Sequence, residues 1–174
     1  MKCIRSCLTD KLSGGDLRSP GDTKSIIKLI VNQDDFDILF SFLFITDRLV
    51  VMKAADSVEK ITRINYRYLD KHKSSLLSLM SSAIDKELKW HLAQIVPRLK
   101  LSNCEKAEVF STLKKWLLDK NESKIVRVNS LQALSEICHN EETLTDSFGE
   151  ALLIIANEGI PSLNARIKKL RKRI

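Results

Sequence analysis

The stretch Asp85–Leu99, DKELKWHLAQIVPRL, decides the fold, because stepping thirty-eight residues in either direction finds it again. Upstream lies DRLVVMKAADSVEKI, Asp47 to Ile61, and downstream SKIVRVNSLQALSEI, Ser123 to Ile137; neither alignment needs a gap. Within the central copy Leu88, Leu92, Ile95, Val96 and Leu99 recur at steps of 4, 3, 1 and 3, the stripe of a helix that buries one face. The columns match in character: Val50, Leu88 and Val126; Val58, Val96 and Leu134; Ile61, Leu99 and Ile137. Each copy opens on an N-cap residue, Asp47, Asp85 or Ser123. Beside the stripe, Ala55, Ala93 and Leu131 share a column in which a small side chain lets a neighbouring helix approach closely.

Working outward, the segments between the copies are helical too. Asp70 to Ile84 turns Leu76, Leu77, Leu79 and Met80 inward, and Lys106 to Asp119 carries Val109, Phe110, Leu113, Trp116 and Leu117. Glu141 to Asn157 is the next helix, and Pro161 opens a last one in which Leu163, Ile167, Leu170 and Ile174 repeat the stripe after a shift of 37 residues. Before the first copy, Lys24–Val31 and Asp34–Ile45 form two shorter helices. The second of these holds Phe36, Leu39, Phe40, Leu43 and Phe44 at helical spacing, a pattern that belongs to core. Residues 1–22, with LSGGDLRSPGD, read as a flexible leader and residues 23–174 as a single domain. The fold class expected is all-α: about nine helices in antiparallel pairs, stacked as a short α-solenoid with a period of about 38 residues.

Composition agrees with that class. With 44% hydrophobic residues and only 5 Gly and 3 Pro among 174, the chain can bury a core but has little turn chemistry. Six basic residues near the C-terminus, Arg166, Lys168, Lys169, Arg171, Lys172 and Arg173, account for all but one of its seven excess positive charges. Basicity is therefore local. Cys3, Cys7, Cys104 and Cys138 form no zinc spacing with His72, His91 or His139, so buried thiols at Cys104 and Cys138 in a reduced, cytoplasmic protein without metal are expected. The N-terminus lacks the apolar run of a secretory signal, and the longest apolar run, Phe36–Ile45, falls well short of the roughly 20 residues that span a bilayer. No membrane segment is expected.

VRVNSLQALSEI, and more loosely LKWHLAQIVPRL, resemble the second helix of HEAT repeats, in the armadillo-like class of α-solenoids. The likeness covers Asp47 to Ile174. Lys89 and Arg127 match the basic position of that pattern, where Val51 stands in the first copy. The resemblance implies a concave binding surface lined by second helices, on a fold that hosts scaffolds, transport factors and a few enzymes. The HEAT-like di-iron hydroxylases carry His-Glu pairs, whereas here the pairs are His72-Lys73, His91-Leu92 and His139-Asn140. Repeat-built DNA glycosylases place Trp and Asp around an extruded base. Trp116 lies on an apolar stripe instead, and neither a paired nucleophile nor a glycine-rich phosphate loop is present.

The expectation is a non-catalytic protein-interaction scaffold without cofactor, its partner a protein or acidic peptide. The alternative is a nucleic-acid-binding module. Counting from Val50, Leu88, Val126 and Leu163 as position 1, positions 4, 7 and 11 share a face away from the stripe. The candidate partner-binding residues there are Lys53, Lys60, His91, Arg98, Arg166, Lys169 and Arg173, continued by a basic tail of Lys168, Arg171 and Lys172. By contrast, Glu141, Glu142, Asp146, Glu150 and Glu158 fall in a stretch without Lys or Arg.

Overall fold

The register of the copies is fixed at their first turns. Asp47 accepts hydrogen bonds from the backbone N–H of Leu49 and Val50, at 2.9 and 3.2 Å, and Ser123 accepts one from Val126 at 3.4 Å. Asp85 holds the equivalent place with extended backbone. A computed structural model describes residues 3–13, 22–139 and 141–171. Among these residues there are ten α-helices and no strand. The chain divides into two compact units, Met1–Lys73 and Ser74–Ile174. The division falls between Lys73 and Ser74, just after the 3-10 stretch Tyr66–His72.

In the first unit, α1 (Ile4–Leu12), α2 (Thr23–Leu29) and α3 (Gln33–Ser41) each pack on the long helix α4 (Arg48–Ile64). The tenth helix is α1, which lies inside the expected leader. Its Leu8 and Leu12, one turn apart, are both 0% exposed, and burying two leucines is worth about 3–6 kcal/mol against the entropy of ordering the segment. The aromatic stripe also differs from expectation at its end. The α-helix stops at Ser41 and a 3-10 turn, Phe42–Phe44, follows; the tighter winding rotates Phe42 and Leu43 inward and leaves Phe44 52% exposed. Phe36 stacks on Tyr68 at 5.0 Å, and Phe40 on the His72 ring at 4.0 Å.

The second unit holds α5 (Lys73–Ser82), α6 (Lys86–Ile95), α7 (Asn103–Leu118), α8 (Lys124–Ile137), α9 (Glu142–Asn157) and α10 (Pro161–Arg171). Its contacts make two rows. In one, α6 lies against α8 and α8 against α10; in the other, α7 lies against α9, with α7 on α8 and α9 on α10. Helix α6 ends at Ile95 because Pro97 has no N–H to donate and its ring crowds the carbonyl of Ala93, so Val96–Arg98 winds as a 3-10 turn. Gly159, at φ +69°, takes the left-handed position that closes α9, and Pro161 opens α10 two residues later. Ala93 and Leu131 are buried, as their column requires. Trp116 is core, while Cys138 is buried and Cys104 exposed; Cys104 sits in the first turn of α7, between the two residues of the Ser102–Glu105 capping box.

Candidate functional site

In the second unit the polar residues of the second helices meet those of the next copy. Gln94 donates through Nε2 to Asn129 Oδ1 at 2.9 Å, and Arg166 donates through Nη1 to Gln132 Oε1 at 2.7 Å. Each bond joins position 7 of one copy to position 4 of the next. The Gln132 amide also donates to Glu136 at 2.7 Å, so Arg166, Gln132 and Glu136 form one connected group. Positions 4 and 7 therefore lie along the seam between adjacent second helices.

A second set of contacts binds the repeats by charge. Lys89 on α6 pairs with Glu122, which precedes α8, and Arg127 on α8 pairs with Glu158, which precedes α10, at 2.7 Å. Arg127 is 2% exposed and also donates from Nε to the Leu117 carbonyl at 2.7 Å. These are the two residues that match the basic position of the repeat. On the other row, Lys106 pairs with Glu141, and Lys114 with Ser147 at 2.7 Å and Glu150 at 3.8 Å. In all four ion pairs the cation belongs to the earlier copy and the acid to the later one. Three acids of the stretch after residue 140, Glu141, Glu150 and Glu158, are thus met in space by cations of the copy before them. Those partners lie 31 to 36 residues away, beyond the reach of any local reading of charge.

The candidate cations divide accordingly. Lys53 and His91 are buried, at 3% and 6% exposure, and so are not displayed on a binding face. Lys60 is held by Asp56 at 2.7 Å, and Asp56 also accepts from Thr23 at 2.8 Å. Arg98 is half-buried in the 3-10 turn that ends its copy. Arg166 is half-buried in the seam, one turn from Lys169, which is exposed. Lys168 is exposed, Arg171 ends α10, and Lys172 and Arg173 lie outside the described residues. Of the expected face, the structure thus brings together Arg166 and Lys169 with Gln132 and Glu136. Sequence reasoning missed Lys106 and Lys114, whose spacing of eight puts them on one side of α7; that spacing was the available signal.

Two titrating groups stand out. Burial raises the Asp37 carboxyl, but hydrogen bonds from Lys71, Gln33 and His72 outweigh it and hold the group at about 2. Burial, with a smaller push from Glu141, raises the Cys138 thiol to about 11, so it stays protonated and unreactive. Among the described residues no helix is long and apolar enough to cross a membrane, and no cluster of three or more His, Cys, Asp or Glu is placed to hold a metal ion. No protein-family model, curated protein or solved structure matches the chain.

Proposed function

We propose that the chain is a non-catalytic interaction scaffold, a short HEAT-like α-solenoid that takes an acidic peptide or protein segment along the polar row of its second helices. The reading is carried by one observation: α6, α8 and α10 lie side by side, and their seams are bridged by the repeat-related bonds Gln94–Asn129 and Gln132–Arg166. A row of helices fixed in this way offers a rigid, shaped surface whose cationic end is Arg166 and Lys169, and rigidity lowers the ordering cost of binding.

The test is affinity capture from native extract with the full chain and with Lys169→Glu, an exposed residue that takes no part in the seam bonds. The reading expects proteins held by the wild type to be lost from the variant, with the unfolding temperatures of the two equal. Identical capture by both would refute it. Retention of the wild type on a DNA duplex, falling steeply between two salt concentrations and abolished in the variant, would move the assignment to nucleic acid.

A further inference from the structure

A groove opens between α5 and α7, inside the second unit. Its volume is about 160 Å³, below the roughly 300–1,000 Å³ of small-molecule pockets, so it is the size of a single side chain. The floor is apolar: Met80 and Val109 are each 2% exposed, and Leu77 is half-buried. Around it stand Ser78 and Ser81 of α5 and Glu108 and Thr112 of α7. Helical spacing places them so, since Ser78 and Ser81 lie one turn apart, as do Glu108 and Thr112.

The rim is a set of acceptors. Ser81 Oγ donates its proton to the Leu77 carbonyl at 3.1 Å, and Thr112 Oγ1 donates to the Glu108 carbonyl at 3.1 Å, so each hydroxyl has only lone pairs left to offer. Glu108 is exposed, and its carboxylate has no hydrogen-bond or ion-pair partner among the described residues. Its neighbours one turn away on α7 are Cys104, Glu105, Ser111 and Thr112, none of them a cation; Lys115 stands two turns on, at about 10 Å. Past Lys73, at its start, α5 carries no charge. Where α7 meets α9 the arrangement differs: Lys106 and Lys114 reach Glu141, Ser147 and Glu150. There the earlier helix supplies the cations; facing Glu108, α5 supplies none.

We propose that this groove binds the side chain of an arginine from a partner protein, its methylene stem over Leu77, Met80 and Val109 and its guanidinium among Glu108, Ser81 and Thr112. The guanidinium only donates, which complements a rim of acceptors. Its flat fork of five N–H groups can address both walls at once, and it gives up water more readily than an ammonium does. The apolar floor takes the stem, as apolar surface commonly does for long basic side chains. An acidic side chain, the kind proposed for the second-helix row, would face Glu108 here. The groove shares no residue with that row, so the two assignments fail independently.

The ligand to titrate is N-acetyl-arginine methylamide, followed by the amide chemical shifts of the isotope-labelled full chain. The formal net charge of +7 opposes any general attraction of a cation, so saturable shifts centred on residues 77–81 and 108–112 are expected only from a local site. N-acetyl-citrulline methylamide has the same shape but is neutral and carries a carbonyl in place of a donor. It should bind at least about fivefold more weakly. Glu108→Gln should weaken arginine binding about threefold with the unfolding temperature unchanged. Ser81→Leu, whose side chain would lie on the apolar floor, should abolish binding without loss of stability. Lys169→Glu should leave binding unchanged. Absence of saturable shifts, shifts centred elsewhere, equal binding of the citrulline compound, or binding indifferent to Glu108→Gln or to Ser81→Leu would overturn the proposal. Shifts at the same residues on raising the protein concentration alone would also overturn it, by making the occupant a second copy.

Discussion

Arg127 shows how a single residue joins three segments. Its Nε satisfies the Leu117 carbonyl, and its Nη2 donates to both oxygens of Glu158, at 2.9 and 2.7 Å. Removing one partner of a buried pair strands the other charge. Arg127→Ala should therefore cost about 3–5 kcal/mol by urea unfolding, and adding Glu158→Ala should restore part of that loss. An additive double variant would show the pair to be uncoupled. Asp37 behaves differently because its carboxyl titrates within reach of experiment. With its value depressed from 3.8 to about 2, it stabilises the first unit above pH 3.8, and that contribution fades as pH falls toward 2. By linkage this amounts to up to about 2 kcal/mol. Asp37→Asn should flatten the acid limb of the stability curve, and an unchanged limb would remove Asp37 from the latch that ties Lys71 and His72 to α3.

At the scale of elements, α1 is the sharpest case. If it belongs to the first unit, Leu8→Ala should lower stability by about 2–5 kcal/mol, the range for truncating a fully buried leucine. No change in the melting curve would return the segment to the status of a leader. The segment was hard to read because its apolar signal is only Ile4, Leu8 and Leu12, set beside Ser-Gly-Gly, whereas each repeat helix offers five apolar positions. The copies were legible because caps and stripe agree in register: Asp47 and Ser123 cap, and the column Ala55, Ala93 and Leu131 is buried throughout although Leu131 is not small. Side-chain exposure was less legible. Lys53 and His91 sit on a face that is polar by helical period yet buried, since that period locates the stripe of a lone helix and not the flank a neighbouring helix covers. Likewise, the stop at Ile95 was written in Pro97, and the break after Ser41 was not written in any proline or glycine.

At the scale of the whole molecule the two units differ in charge: in the second, ion pairs join successive copies, whereas in the first Lys60–Asp56 and Arg63–Glu59 stay within one helix. Three acids of a segment that looks acidic along the chain, Glu141, Glu150 and Glu158, meet cations that look unremarkable there, Lys106, Lys114 and Arg127, and Lys89 meets Glu122 in the same way. The proposed α-solenoid has a property that a non-repeating domain lacks: such a stack accepts another unit of the same period, because each of its repeats touches only the repeats beside it. Duplicating residues 103–140, one 38-residue period, between Asn140 and Glu141 tests this most directly. The inserted copy would offer Glu122 to the preceding Arg127, as Glu122 is offered to Lys89, and Asn129 to the preceding Gln132, as Asn129 is offered to Gln94. The account predicts circular dichroism with unchanged helicity per residue and a cooperative melt at an equal or higher temperature; loss of the cooperative transition, with helicity per residue falling, would contradict it.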